Sequence, residues 1–363
     1  MSWSFRLGRL LGIDVYVHFT FFLLLAFIVI AQYLQTKSMA SALLELAFIC
    51  SIFATVGLLE FGHALMARLF GVKTRDITLL PIGGIARLER IPEHPGQEFL
   101  IAVAGPAVNV ALAVLCLAAI VATGQFGATI SADPMAGSLL QRFFLINVWL
   151  VIFNMIPAFP MDGGRVLRAV LAMGMNYVRA TQIAAAVGQA IAVLFGFAGL
   201  LISPMLLLIA LFVWIGAAQE AQMVIARAGL AGLSARTAMI SDYRTVSPGD
   251  SLGTVAQHVL AGFQEDFPVL ERGRMVGILT HHGLLTALER LGGQALVADV
   301  MERQFPTVRP DEPLNDVVDR LQASEGRSLP VIDHGRLVGI ITPENVSELL
   351  LVRGAEAQYR AGA

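Results

Sequence analysis

The chain has 363 residues, of which 56% are hydrophobic and only 14% are charged. Because soluble domains carry about 25% charged residues, this composition argues against a wholly soluble enzyme and against a disordered chain. A net charge of −2 gives no strong attraction for nucleic acid, so we expect no nucleic-acid partner, and two cysteines exclude a disulfide scaffold.

The acidic residues divide the chain near Ala235. Residues 1–235 contain 10 of the 27 acidic side chains, and the other 17 lie in residues 236–363. We therefore expect a membrane domain followed by a soluble part. The predicted fold class is membrane all-α, with six transmembrane helices and a short membrane-embedded hairpin, followed by an α/β tandem repeat.

Six apolar segments are long enough to cross or nearly cross a bilayer, which takes about 20 residues of helix. They are Val15–Leu34, Ala40–Leu59 with an extension to Leu69, Phe99–Thr123, Leu139–Phe159, Thr181–Ile202 and Pro204–Ile225. The first is too long for a signal peptide and is followed by further spans. Eleven basic residues of the membrane part fall on the side of the N-terminus and two on the other, which predicts a cytosolic N-terminus and a cytosolic soluble part.

Polar side chains lie inside two of these segments. Glu60 and His63 in the second segment are three residues apart and therefore share one helix face. The fourth segment runs into Asn154, then two prolines, then Asp162 and two glycines. Because irregular backbone at membrane depth is tolerated where it lines a cavity, we expect Glu60, His63 and Asp162 to face one cavity.

Taken alone, these residues leave other functions open. Glu60 could serve a transporter or a proton relay. The spacing of Glu60 and His63 also occurs in half of a di-iron carboxylate site, which would need several more buried carboxylates than the nearby Glu45. Asp162 before two glycines would by itself be an ordinary turn with a helix cap.

The membrane part resembles the site-2 protease family of intramembrane zinc metalloproteases. The resemblance rests on four stretches: Leu58–Arg68, Pro81–Gly84, Ala104–Asn109 and Asn154–Arg165. It implies a domain at residues 1–235, in a prokaryotic cell membrane, that hydrolyses peptide bonds of membrane proteins with a transmembrane or membrane-associated segment, as in regulated intramembrane proteolysis.

The resemblance also implies a set of site residues. His63 and Asp162 correspond to zinc ligands, Glu60 to the general base, and Asn154 to an asparagine that holds the substrate or the developing oxyanion. A zinc-bound water would be the nucleophile.

Position 59 departs from the family's His-Glu-x-x-His motif, because Leu59 stands where the first histidine ligand is expected. Leucine cannot coordinate a metal, and catalytic zinc sites normally keep three protein ligands. We therefore expect weak or absent zinc and little or no proteolysis. Three explanations remain open: a substitution, engineered or natural, in a working protease; a natural, catalytically silent protein that binds client transmembrane segments; or a replacement ligand, for which His18 is the candidate.

The soluble part contains an internal repeat with an offset of 62 residues. The matched residues are Met239, Thr245, Pro248, Leu252, Val255, Pro268, Gly277 and Thr280, followed in the same order by Met301, Thr307, Pro310, Leu314, Val317, Pro330, Gly339 and Thr342. Each unit is predicted to run strand, helix, two strands and a final helix. This order resembles a tandem pair of cystathionine-β-synthase (CBS) domains at residues 236–292 and 296–352, before a C-terminal tail at residues 353–363.

The resemblance to CBS pairs implies a sensor of adenine nucleotides or, as the alternative, a ligand-free module for dimerisation or substrate docking. The family's run Gly-hydrophobic-hydrophobic-Thr-x-x-Asp appears as Gly277–Gly283 and Gly339–Asn345, and both runs lack the final Asp. Thr280 and Thr342 remain as candidate nucleotide contacts. A homo-oligomer formed through the CBS domains is a further expectation.

Overall fold

The computed structural model describes residues 3–81, 83–88, 94–124, 138–262, 264–324 and 327–362. They form two compact units, of which the first ends at Val224 and the second begins at Ile225. Ile82 of the predicted hairpin and Arg90 of the predicted cytosolic side lie outside the described residues.

The first unit consists of four strands and seven helices among the described residues, and the last helix runs on into the second unit. The elements are β1 (Ser4–Leu10), β2 (Ile13–His18), α1 (Phe19–Thr36), α2 (Met39–Leu69), β3 (Thr74–Leu80), β4 (Gly83–Leu88), α3 (Pro95–Ala122), α4 (Leu139–Asn154), α5 (Asp162–Ala172), α6 (Tyr177–Leu201) and α7 (Pro204–Leu230). The strands form one sheet in the order β1-β2-β3-β4, in which only β2 and β3 are parallel.

The start of the first predicted span is wrong. Val15 lies in β2, where buried Ile13, Val15 and Val17 alternate with less buried neighbours, which is the period-two pattern of a strand. The helix begins instead at Phe19, and the side chain of His18 caps it by accepting a hydrogen bond from a backbone N–H. Apolar content alone could not separate this strand from the helix that follows it.

Five helices in the described part of the chain are long and apolar enough to cross a membrane: α1, α2, α3, α6 and α7. The predicted fourth span is shorter than expected, because α4 has 16 residues and ends at Asn154 rather than at Phe159. Pro157 and Pro160 follow this end, and proline cannot continue a helix without losing a hydrogen bond. The helical membrane architecture is confirmed, and the count of six full-length spans is not.

The second unit contains two repeats with equivalent elements. They are α8 (Ala235–Ala238), α9 (Leu252–Leu260), β5 (Phe267–Glu271), β6 (Arg274–Leu279), α10 (His281–Leu291), α11 (Val297–Val300), α12 (Leu314–Ala323), β7 (Leu329–Asp333), β8 (Arg336–Ile341) and α13 (Pro343–Gly362). β5 pairs with β6 and β7 with β8, each as an antiparallel hairpin. Leu252 and Phe267 are fully buried in one core, and the residues 62 positions later, Leu314 and Leu329, are fully buried in the other. The predicted α/β tandem fold is confirmed.

The hairpin of each repeat pairs with a residue from the first part of the other repeat. Ile240 exchanges backbone hydrogen bonds with Ile340 of β8, and Ile278 of β6 exchanges them with Glu302. Leu230, the last residue of α7, is 3% exposed in the core of the second repeat. Leu230, near the start of the second unit, therefore packs against the second repeat, although the first repeat is nearer in sequence.

Leu314→Ala should destabilise the second unit by about 2–5 kcal/mol, because it removes a fully buried side chain and leaves a cavity. Pulse proteolysis of the purified chain across a urea series, with the C-terminal unit as readout, measures this change in the free energy of unfolding. Leu260→Ala, at a position that is 88% exposed, is the matched control and should change it by no more than about 0.5 kcal/mol. Equal effects of the two substitutions would contradict the assigned core.

Candidate active site

The imidazole of His63 is buried where α2, α3 and α5 meet. Its Nδ1 lies 2.7 Å from the carbonyl oxygen of Ile101 on α3, and its Nε2 lies 3.1 Å from Oδ2 of Asp162. Because a carbonyl oxygen only accepts hydrogen bonds, Nδ1 donates the hydrogen and Nε2 is directed at the carboxylate. Metal-ligating histidines are commonly oriented in this way, by a bond from the second ring nitrogen to a backbone carbonyl.

Asp162 is the first residue of α5. It directly follows residues 155–161, which connect α4 to α5 and which we call the bend. Two glycines allow α5 to pack against this bend. A Cβ at Gly163 would lie 2.3 Å from the carbonyl oxygen of Ile156, and a Cβ at Gly164 would lie 2.6 Å from the backbone nitrogen of Phe159. A side chain at either position would push α5 outward and carry the carboxylate away from the imidazole.

α3 approaches α2 through two further glycines. A Cβ at Gly62 would lie 2.8 Å from the carbonyl oxygen of Ala104, and a Cβ at Gly105 would lie 2.1 Å from Nε2 of His63. Gly105 therefore leaves the space that the imidazole occupies. This contact gives a physical reason for the glycine of the Ala104–Asn109 stretch.

Glu60 is fixed by the β3–β4 hairpin. Its Oε2 accepts a hydrogen bond from the backbone N–H of Ala86 in β4, at 3.1 Å. A Cβ at Gly84 would lie only 2.7 Å from Cγ of Glu60, so the strand can come this close only with glycine at that position. One carboxylate oxygen is thus anchored to the hairpin.

One cavity of about 530 Å³ brings the predicted polar residues together. It is lined by Glu60, His63, Asn154 and Asp162, and also by Leu59. Asn154 donates one amide hydrogen from Nδ2 to the carbonyl oxygen of Leu150 at 3.0 Å, which leaves its second amide hydrogen for another acceptor.

Three further polar or aromatic residues line this cavity and were missed by sequence reasoning: Arg165, Phe212 and Gln219. Arg165 lies three residues after Asp162 on α5, so helical spacing could have placed it on the same side. Phe212 and Gln219 belong to α7, where no motif marks them and only tertiary packing brings them to the cavity.

The side chains in this cavity do not provide all the ligands of a catalytic zinc site. Nε2 of His63 and the carboxylate of Asp162 are two metal-ligating groups, whereas catalytic zinc normally has three protein ligands. Leu59, one turn before His63, is only 5% exposed and offers no lone pair. Within the described ranges, no group of three His, Cys, Asp or Glu side chains is placed to hold a metal ion.

His18 does not supply the missing ligand in this structure. It caps α1, with Nδ1 2.8 Å from Oγ1 of Thr20, and the described lining of the cavity does not include it. The residues present therefore do not fit a three-ligand zinc.

Two clefts of the second unit contain the candidate nucleotide contacts. The larger cleft, of about 570 Å³, includes Thr342 and Asn345, and the smaller cleft, of about 290 Å³, includes Thr280. The hydroxyl of Thr342 donates to Oδ1 of Asn345 at 2.7 Å, and the hydroxyl of Thr280 accepts from the backbone N–H of Gly283 at 3.1 Å. Five carboxylate side chains and two basic ones line the described part of the larger cleft: Asp242, Glu265, Asp266, Glu344 and Glu348, with Arg244 and His258.

Comparisons with known proteins identify the family and the domains of this chain. Residues 47–195 match the model of Peptidase family M50, and residues 235–290 and 297–352 each match the CBS domain. The zinc metalloprotease MJ0392 of Methanocaldococcus jannaschii is 34% identical over 347 residues, which cover 95% of this chain and 96% of that protein. The chain belongs to the site-2 protease family. The family assignment made from the motifs is confirmed, and the chain is an integral membrane protein.

Two further relatives and one solved structure are similar to this chain over different shares of its length. The putative zinc metalloprotease sll0528 of Synechocystis is 27% identical, over 98% of this chain and 97% of that protein. The putative zinc metalloprotease Rip3 of Mycobacterium tuberculosis is 29% identical, over 80% of this chain and 77% of that protein. The solved site-2 protease from M. jannaschii is 37% identical, covers 60% of this chain and 95% of that chain, and has a TM-score of 0.44.

Gly105→Ala should destabilise the membrane unit by about 1–3 kcal/mol, because the added methyl group would overlap the imidazole of His63. Thermal unfolding of the purified chain in detergent measures the effect. Gly57→Ala is the matched control, since its Cβ would meet no atom within 4 Å and alanine favours helix by about 1 kcal/mol over glycine. The packing assignment fails if Gly105→Ala is as stable as Gly57→Ala.

Proposed function

We propose that this chain is a site-2-type intramembrane metalloprotease whose peptidase activity is absent or strongly reduced because of Leu59. The observation that carries the proposal is the position of the Leu59 side chain. It is buried, and it lines the same cavity as Glu60, His63 and Asp162, one helical turn before His63. An apolar side chain thus occupies the place where the family's motif has a metal ligand.

The remaining polar residues support proteolytic chemistry. Glu60 is the proposed general base, because the hairpin holds one of its oxygens and its carboxylate lines the cavity, where it can accept a proton from water. Asn154 is the proposed donor to the negative charge that develops on a peptide carbonyl oxygen, since one of its amide hydrogens has no assigned acceptor. With a histidine at position 59, His63 and Asp162 would help to hold a zinc ion, which would supply Lewis acidity toward water and the carbonyl.

The proposed substrates are membrane proteins with a transmembrane or membrane-associated segment. A helical substrate must unwind locally before cleavage, because the carbonyl groups within a helix are already hydrogen-bonded to N–H groups of the same helix. We propose regulated intramembrane proteolysis as the biological setting, as the family implies.

Leu59→His should restore cleavage of a transmembrane substrate, because it places a second imidazole four residues before His63 on the same helix face. Purified chains reconstituted with a model membrane substrate give the rates, and Leu59→His with Glu60→Gln is the control that should remain inactive. Normal, metal-dependent cleavage with Leu59 in place would contradict the proposal.

A silent binding protein is the second candidate function. It is favoured by the buried Leu59, which offers no lone pair to a metal ion. In this case Leu59→His gives no cleavage, while a client transmembrane segment still co-purifies with the chain. The Leu59→His comparison therefore separates a substituted protease from a protein that captures the same class of client without cutting it.

We also propose that the CBS pair binds an adenine nucleotide and adjusts the activity of the membrane unit. Thr342 and Asn345 in the larger cleft are the proposed contacts, and Thr280 is the equivalent contact in the smaller cleft. Because five carboxylates and two basic side chains line the described part of the larger cleft, a ligand with few phosphate groups should be favoured.

AMP should therefore bind the purified chain more tightly than ADP, and ADP more tightly than ATP, in calorimetric titrations. Thr342→Val should weaken the binding of AMP more than Thr280→Val does, although both threonines begin a helix and both substitutions remove a similar cap. Tighter binding of ATP would contradict the charge argument. No binding of any of the three would favour the ligand-free dimerisation or docking module.

The proposed topology places the N-terminus and the CBS pair in the cytosol of a prokaryotic cell. The support is the uneven distribution of basic residues, eleven on the proposed cytosolic side and two on the other. A homo-oligomer formed through the CBS pair is part of the same proposal.

A further inference from the structure

A buried ion cluster lies next to the candidate active site. The guanidinium of Arg168 on α5 has no exposed surface, and it contacts two carboxylates: Glu98 on α3, which is 3% exposed, and Glu220 on α7, which is 19% exposed. Nε donates to Oε1 of Glu98 at 2.7 Å, and Nη1 donates to Oε1 of Glu220 at 2.5 Å. We call Arg168, Glu98 and Glu220 the arginine cluster.

Aromatic rings cover the guanidinium. It lies 4.9 Å from the centroid of Phe159 and 5.0 Å from the centroid of Tyr177. Phe159 belongs to the bend before α5 and is itself 1% exposed. Through Arg168, these contacts join α5 to four other segments of the membrane unit: α3, the bend, the start of α6, and α7.

The arginine cluster closes a ring of contacts that includes the site residues. Glu98 lies three residues before Ile101 on α3, and the carbonyl of Ile101 accepts the hydrogen bond from Nδ1 of His63. Arg168 lies on the same short helix as Asp162, and Oδ2 of Asp162 contacts Nε2 of His63. The ring thus runs from His63 through α3 to Glu98, across to Arg168, and back through α5 to Asp162.

We propose that Arg168 is a positioning residue that fixes α5 against α3 and so sets the separation of His63 and Asp162. Both partners of His63 lie on the two helices that Glu98 and Arg168 join. A shift of α5 relative to α3 would change the distance to Oδ2 while leaving the bond to Ile101 in place. Burial of Arg168 and Glu98 makes this arrangement rigid, because an unpaired charge in that environment is strongly unfavourable.

The matched control is a second buried ion pair in the same unit. Arg142 on α4 contacts Glu45 on α2 at 3.0 Å, both side chains are 12% exposed, and the guanidinium lies over the ring of Phe48 at 3.8 Å. This pair resembles the arginine cluster in chemistry and burial, but it does not involve α3 or α5. Loss of Arg142 should therefore lower stability without moving Asp162.

The test measures the ring ¹⁵N signals of His63 in the full chain with Leu59 in place, at one fixed pH, in lipid nanodiscs. Arg168→Met should shift and broaden the Nε2 signal, because Asp162 is no longer held at hydrogen-bond distance. Arg168→Lys should restore part of the wild-type signal, and Arg142→Met should leave it unchanged. His63→Gln identifies the signals among the seven histidines of the chain.

A folded Arg168→Met chain with unchanged His63 signals would overturn the proposal, and so would equal shifts with Arg142→Met. If Arg168→Met does not fold, Glu98→Gln replaces it, since the amide keeps the size of the side chain but weakens the ion pair that joins α3 to α5. An intermediate shift is then expected, and an unchanged signal overturns the proposal.

A second arm rests on the proposed function and uses the Leu59→His background. There, Arg168→Lys should lower kcat by about 10- to 100-fold, as is typical for groups that orient metal ligands, with little change in KM. An unchanged kcat in an active background contradicts the positioning role. If Leu59→His does not cleave at all, the proposed function fails, while the nitrogen signals still decide the role of Arg168.

Discussion

The contact between Nε2 of His63 and Oδ2 of Asp162 joins residues that are 99 positions apart in the chain. It exists only because three segments approach one another closely. Gly105 admits the imidazole beside α3, and Gly163 and Gly164 admit α5 against the bend that follows α4. Each approach would fail with the smallest side chain, so the position of the site depends on backbone contacts that only glycine permits.

The site is well ordered but chemically incomplete. Three parts of the site contact other elements: the imidazole contacts the carbonyl of Ile101, the carboxylate of Glu60 accepts from the N–H of Ala86, and α5 is paired with α3 through Arg168 and Glu98. These constraints are those expected of a site that must keep its ligands in place. Leu59 lies inside this arrangement and contributes only apolar surface, and in the proposed function this one residue accounts for the loss of peptidase activity.

Much of this architecture could be predicted from the sequence, because membrane helices and motif spacing are local properties. The convergence of Glu60, His63 and Asp162 on one cavity followed from helical spacing and from the break at Pro157. The strand at Ile13–His18 was missed because Val15 and Val17 look like the beginning of the apolar run that follows, although apolar and polar residues alternate there as in a strand. The crossing of Ile240 to the hairpin of the second repeat could not be predicted either, since nothing in a repeat pattern tells which neighbour a connecting segment will pair with.

Arg168 shows a further limit of sequence reasoning. Its charge placed it among the cytosolic loop residues, yet the side chain has no exposed surface. Two distant carboxylates, Glu98 and Glu220, compensate the buried charge, and neither belongs to a motif. A buried ion pair between separate helices depends on the tertiary structure, so the sequence alone does not reveal it.

We infer that the cavity lacks one zinc ligand at position 59 and that the other two ligands, His63 and Asp162, are in place. The most direct measurement is elemental analysis of zinc in the purified chain beside the Leu59→His variant, after equal exposure to the metal. We expect far less than stoichiometric zinc with Leu59 and close to stoichiometric zinc in the variant. Stoichiometric zinc with Leu59, removed by Asp162→Asn, would show that the site is complete without a histidine at position 59 and would contradict the account.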